Sequence, residues 1–382
     1  MRDVVEIGMG RTARRTYELS EINIVPSRRT RSSQDVSTSW QLDAYRFEIP
    51  VLSHPTDALA SPAFAIELGR LGGLGVLNGE GLIGRHADVE DKIAAVIEVA
   101  ERDEDPAASI RMLQQLHAAP LDLDLLGQAV ARVREAGVTT AVRVSPQNAQ
   151  ALTPTLLSAG IDLLVIQGTI ISAERVARGR DGDGEPLNLK TFISELDVPV
   201  VAGGVADHRT ALHLMRTGAA GVIVGYGSTS GLTTSDEVLG ISVPMATAIA
   251  DAAAARREYL DETGGRYVHV LADGDVHTSG ELAKAIACGA DAVLLGTPLS
   301  IAAEALGGGW YWPSAAAHPS LPRGALLQIA LDDRPSLDRV LNGPSDDPFG
   351  SLNLVGGLRR SMAKAGYCDL KEFQKVGLTV GS

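Results

Sequence analysis

Residues 267–299, YVHVLADGDVHTSGELAKAIACGADAVLLGTPL, read as strand, loop, helix, strand, loop. The run 268–271 is a mostly apolar stretch with β-branched residues, and it ends in Ala272-Asp273-Gly274. Thr278 and Ser279 are good N-caps with Glu281 in the first turn, and Leu282, Ala285 and Ile286 keep helical spacing. Gly289 stops the helix, and a second buried run, 292–295, ends in Gly296-Thr297. Two parallel strands thus deliver Asp273-Gly274 and Gly296-Thr297 to one sheet edge. In (β/α)₈ barrels that edge is the active face, and the loops after strands seven and eight often hold a phosphate. An aspartate there suits ribose hydroxyls, and a Gly-Thr turn lets backbone N–H groups and a hydroxyl approach phosphate oxygens.

Six further runs repeat the theme, at 50–53, 75–78, 140–144, 163–166, 199–202 and 221–224. Helical patterns fall between them, at 62–71, 149–158, 208–217 and 244–262, with 281–287 between the last two strands. Turns such as Ala159-Gly160-Ile161-Asp162, Gly218-Ala219-Ala220 and Gly289-Ala290-Asp291 mark helix ends turning into parallel strands. Such alternation over about 250 residues predicts an α/β fold of the (β/α)₈ TIM-barrel type. The reading takes residues 1–382 as one barrel domain. Residues 85–137 are expected to be mostly helical with one short extra strand near Ile110, and 307–355 irregular before a helical tail at 356–365. Trp310, Tyr311 and Trp312 read as a packing cluster rather than a base-stacking platform. The stretch 178–186, RGRDGDGEP, reads as a lid over the strand-four edge or as a plain surface loop.

The net charge of −13 argues against nucleic-acid and anionic-membrane surfaces. The basic run 28–31, with Arg11, Arg14 and Arg15 nearby, reads as a solvated N-terminal arm. Two cysteines, Cys288 and Cys368, make no disulfide framework, and no CxxC or HExxH motif occurs, so no metal is expected. A reducing cytoplasm fits, with no signal peptide and no apolar run long enough to span a membrane.

Several motifs, in order, resemble the IMP dehydrogenase and GMP reductase family. These are Leu19-Ser20-Glu21-Ile22-Asn23-Ile24-Val25-Pro26, the unit 49–77 with Asp57 and Gly72-Gly73-Leu74-Gly75-Val76, the segment 200–224, and 267–299. The chain looks most like the third, actinobacterial and cyanobacterial branch, and it lacks the tandem regulatory insert. The resemblance implies substrate and phosphate contacts from Ser53, Asp57, Ser230, Asp273, Gly274, Gly296 and Thr297. It implies an NAD(P) cofactor near Gln167, Gly203 and Gly204, a purine 5′-monophosphate ligand, a role in purine metabolism, and a homotetramer that can stack into an octamer. The family's catalytic loop carries a cysteine, as in GxGPGSxCTT, whose thiolate adds to the purine. Here the loop reads Gly225-Tyr226-Gly227-Ser228-Thr229-Ser230-Gly231-Leu232-Thr233-Thr234, with Leu232 at the cysteine position and Thr233 and Thr234 after it. Leucine cannot form a covalent adduct. Gln167 replaces a family aspartate, Asp275 sets a carboxylate near the expected phosphate, and the family's Arg-Tyr flap has no counterpart. Three readings follow: a family oxidoreductase, a nucleotide-binding regulatory protein without that chemistry, or a barrel oxidoreductase holding FMN.

Overall fold

The structure, a computed structural model, describes residues 4–102, 105–168, 187–226, 240–274, 276–318, 325–329 and 333–381. Eight short parallel strands form the centre: β1 (Val51–Ser53), β2 (Val76–Asn78), β3 (Ala141–Val144), β4 (Leu163–Gln167), β5 (Val200–Val205), β6 (Gly221–Val224), β7 (His269–Ala272) and β8 (Ala292–Leu295). Each is a near-continuous apolar run because both faces are covered, by the barrel interior and by helices. Their order is β1-β8-β7-β6-β5-β4-β3-β2. The ring closes where the Leu74 N–H donates to the Val51 carbonyl and the Ser53 N–H to the Leu74 carbonyl, each at 3.0 Å. The eight expected runs are these eight strands, with end shifts of a few residues.

Helices alternate with the strands: α1 (Pro62–Arg70), then α2 (Val89–Glu101), α3 (Pro106–His117) and α4 (Leu123–Glu135) between β2 and β3. After them come α5 (Ala149–Ala159), α6 (Leu189–Ser194), α7 (His208–Met215), α8 (Met245–Thr263) and α9 (Ser279–Cys288). The expected strand near Ile110 is not found; Ile110 lies inside α3. The reason is local. Asp105 caps the helix by accepting the Ala107 N–H at 3.0 Å, and Ile110 and Leu113 are buried at helical spacing.

A short helix, α10 (Thr297–Ser300), follows β8, and α11 (Leu337–Asn342) and α12 (Leu354–Ala365) come later. Tyr311 and Trp312 are fully buried and Trp310 half-buried, packed with Ile93, Val96 and Leu113 in a second apolar cluster. They are a packing cluster, as the sequence suggests. The two chain ends meet: Ile22–Ile24 pairs antiparallel with Leu378–Val380. Ahead of them an exposed hairpin, Val4–Gly8 with Arg11–Arg14, carries two of the arginines, and Arg28, Arg29 and Arg31 are also exposed. No helix among the described residues is long and apolar enough to cross a membrane.

Candidate functional site

The C-terminal ends of the strands bring one polar group of side chains together. Asp273 follows β7 and is 2% exposed. Its backbone N–H donates to the Val224 carbonyl at 2.7 Å, which fixes it at the barrel mouth. Its Oδ2 accepts a hydrogen bond from Gln167 Nε2 at 2.5 Å, across the mouth from β4. His54, just past β1, places Nε2 at 3.6 Å from the same oxygen. Burial pushes the His54 pKa down and Arg143 adds to this, against the opposing pull of Asp273, so the imidazole is held neutral. Its Nδ1 lies 3.4 Å from the Tyr311 hydroxyl.

A second set adjoins it on β2 and β3. Arg143 donates from Nη2 to the Gln167 carbonyl at 2.7 Å and pairs with Glu80 Oε2 at 3.2 Å. Glu80 also accepts from the Ser145 N–H at 2.5 Å, from the Ser145 hydroxyl at 2.9 Å and from Asn148 Nδ2. Its charge is therefore fully committed. Gln167 is 7% exposed, and its Oε1 is buried with no hydrogen-bond donor among the described residues.

Close backbone packing sets the shape of the mouth. The Gly203 carbonyl accepts from the Gly168 N–H at 3.0 Å, and the Gly204 N–H donates to the Gly168 carbonyl at 3.1 Å, across a cis Gly203–Gly204 peptide. A Cβ on Gly204 would stand 2.0 Å from the Gly225 carbonyl oxygen, and one on Gly225, whose φ is +102°, would stand 2.1 Å from that of Asp273. Only glycine allows these strand ends to lie so close. Gly296 is the N-cap of α10, tight against the Tyr311 hydroxyl, and Gly274 abuts Met245. Thr297 Oγ1 lies 3.0 Å from His277 Nδ1 and is nearly buried.

Of the residues expected at the site, Gln167 and Asp273 are in contact, and the flanking Gly274, Gly296 and Thr297 stand at the neighbouring β7 and β8 edges. Gly203 and Gly204 serve strand packing. The Ser53 hydroxyl is occupied by the Val76 N–H at 3.0 Å, so it ties the barrel seam. Asp57 is turned to His117 Nε2 at 2.7 Å and the Leu82 N–H at 2.8 Å. Burial opposes its ionisation, but these partners outweigh it and hold its pKa below the usual carboxylate range. Ser230, Leu232, Thr233, Thr234, Asp275 and the stretch 178–186 lie outside the described residues. Cys288 ends α9, and burial raises its thiol pKa to about 12, so it supplies no thiolate at neutral pH. Cys368 is exposed in the tail. No three-residue metal cluster occurs among the described residues.

Sequence reading missed His54, Glu80 and Arg143. The signal for Arg143 was present, as a charge inside the otherwise apolar strand Ala141–Val144. His54 and Glu80 show themselves only when distant strands meet. A cleft of about 580 Å³ opens at the other end of the barrel, lined by Trp40, Arg46, Tyr267, His269 and Asp291. It lies at the N-terminal face, away from where barrels of this type place their chemistry.

An eight-stranded parallel barrel, with a buried carboxylate after strand seven and a Gly-Thr turn after strand eight, defines a (β/α)₈ protein with a polar C-terminal mouth. The chain belongs to the IMP dehydrogenase / GMP reductase domain family, whose sequence model matches residues 16–315. An "uncharacterized oxidoreductase" of Mycolicibacterium smegmatis is 86% identical over 379 residues, covering 99% of this chain and 100% of its own. An inosine-5′-monophosphate dehydrogenase of Aquifex aeolicus is 33% identical over 236 residues, covering 58% of this chain and 44% of its own. The crystal structure of an IMP dehydrogenase/GMP reductase-like protein from Corynebacterium glutamicum superposes with a TM-score of 0.92 at 58% identity, covering 99% of this chain and 98% of that one.

Proposed function

We propose that the barrel mouth binds a purine 5′-monophosphate and does not carry out cysteine-adduct chemistry on it. The observation that carries this is Asp273, a buried acceptor at the β7 edge beside the Gly296-Thr297 turn of β8. In this reading Asp273 takes ribose hydroxyls. The phosphate lies toward Gly274, Gly296, Thr297 and Ser230. Replacing Asp273 by Ala should weaken IMP or GMP binding by roughly 1.5–3 kcal/mol, because a charged acceptor is lost. Calorimetric titration tests it, and unchanged affinity sinks the reading.

Chemistry through a covalent purine adduct needs a sulfur nucleophile where this chain has Leu232. The hydroxyls of Thr233 and Thr234 have no His or Lys in their loop to activate them. The expected outcome is no IMP-dependent NADH formation by the parent protein. Activity that appears only in Leu232→Cys would support a retained site around a lost nucleophile; robust activity in the parent would overturn the assignment. NAD(P) is the cofactor the family chemistry takes, and when bound it would exchange hydride. Here the carboxylate that the family resemblance places at strand four is absent, Gln167 standing in its position, and Gly203 and Gly204 are spent on strand packing. That favours a nucleotide-binding role within purine metabolism over hydride transfer. A homotetramer, able to stack into an octamer, goes with the family reading, and light scattering showing a 40.0 kDa monomer would exclude it.

A further inference from the structure

We propose that Gln167 is a specificity-determining residue whose Oε1 accepts a hydrogen bond from a ribose hydroxyl of the bound nucleotide. The proposal rests on the nucleotide reading of the mouth given above. Gln167 Nε2 donates to Asp273 Oδ2 at 2.5 Å. Turning the amide over would set its oxygen against a carboxylate oxygen, so the charge of Asp273 locks the amide in one orientation. Oε1 is thereby held in place as an acceptor. It is buried, and no described residue donates to it.

Among the described residues, several donors at the mouth already have partners. Arg143 gives Nη1 to Glu80 and Nη2 to the backbone carbonyl of Gln167 itself. The Gly168 N–H is taken by Gly203, and the His54 N–H by Leu295. A buried acceptor without a donor is rare in folded proteins and costly, so the donor belongs to what binds. Its chemistry is restricted. An anionic oxygen would meet the lone pairs of Oε1 and the carboxylate of Asp273 together, so a phosphate is excluded from this corner. A neutral O–H is accepted. Two neighbouring acceptors, one an amide and one a carboxylate, match the adjacent hydroxyls of a ribose and direct the phosphate away toward Gly296 and Thr297.

The test is calorimetric titration with IMP, 2′-deoxy-IMP and 3′-deoxy-IMP of the parent, Gln167→Leu and Gln167→Glu. The parent should prefer IMP over one of the deoxy analogues by about ten-fold, the worth of one buried hydrogen bond. Gln167→Leu should bring IMP and that analogue to equal affinity, at whatever overall affinity the variant keeps. In Gln167→Glu two carboxyls share a proton at low pH. A protonated Glu donates to Asp273 and keeps its carbonyl in the Oε1 position, so the preference should persist near pH 5 and fade as pH rises. Full preference retained in Gln167→Leu would overturn the proposal, since a buried water or another group would then serve the ligand. If Gln167→Leu melts far below the parent, Gln167→Glu decides, and a preference equal to the parent's at every pH overturns the proposal. Absence of IMP binding by the parent overturns the nucleotide reading itself, and this proposal with it.

Discussion

The two ends of the barrel surround their buried carboxylates differently. At the N-terminal end, Asp291 is surrounded by donors: Arg256 at 2.7 Å, the Tyr267 hydroxyl at 2.7 Å, the Val270 N–H at 2.9 Å and Gln374 at 3.2 Å. Arg256 and Lys371 flank the Tyr267 ring. His269 Nδ1, 3.8 Å from Asp291 Oδ2, is the one buried side-chain atom of this group without a hydrogen-bond partner among the described residues. At the C-terminal end, Gln167 keeps an open acceptor, His54 is held neutral beside a carboxylate, and glycines bring three strand ends within backbone contact. The base gathers its donors on one carboxylate. The mouth instead leaves an amide oxygen without a donor among the described residues, the acceptor that the proposed nucleotide would use.

The largest effect expected to sharpen this contrast comes from Asp291→Ala. It strands the buried Arg256 guanidinium and should cost about 3–5 kcal/mol in chemical denaturation. It should not alter the order of ligand preference. A loss below about 1 kcal/mol would mean that the base is not held by this network. Next is Gly225→Ala at the mouth, whose new Cβ would press on the Asp273 carbonyl at a backbone angle that L residues disfavour. A stability loss of about 1–3 kcal/mol is expected, with nucleotide affinity falling further than stability alone explains. Equal affinity in a folded variant would break the link between glycine packing and site geometry.

Acid comes third. His54 and His269 both have pKa values lowered from 6.5, burial being the leading cause in each. Between the folded and unfolded pKa the unfolded chain binds more protons, so stability is full above about pH 6.5 and falls as pH drops. The slope approaches about 1.4 kcal/mol per pH unit for each group. Replacing His54 by Gln should remove the share of the mouth and leave that of the base; an unchanged pH profile would place the titration elsewhere. The smallest effect is chemical. A thiol reagent at pH 8 should label exposed Cys368 quickly and Cys288 slowly, since burial raises the Cys288 pKa to about 12. Matching rates would contradict the packing of α9.

The barrel was legible because parallel strands buried on both faces announce themselves as short apolar runs between helix caps, as in Ala292–Leu295 after Gly289. Ile110 reads ambiguously because the short apolar stretch around Ile110, Met112 and Leu113 suits strand and helix alike, and the Asp105 cap decides for helix. The mouth was half legible. Asp273, Gly296 and Thr297 stand next to turns that mark them. The contact of Gln167 with Asp273 joins residues 106 positions apart, and that of His54 with Tyr311 joins residues 257 apart. No local pattern encodes such pairings. Ser53 and Asp57 show the converse, since good site residue types were spent on a barrel seam and on a buried His117 pair.

The closing of the ring bears on how the chain is made. β1, at Val51–Ser53, touches Leu74 early but gains its second neighbour only in β8, at Ala292–Leu295, and Ile22–Ile24 waits for Leu378–Val380. On the ribosome the earliest segments therefore stay unsealed until nearly the last residues emerge. His54 is anchored to the Leu295 carbonyl, so the mouth is completed late in synthesis. Nascent chains stopped before β8 expose an open sheet edge, the kind of surface that chaperones cover and that aggregates otherwise.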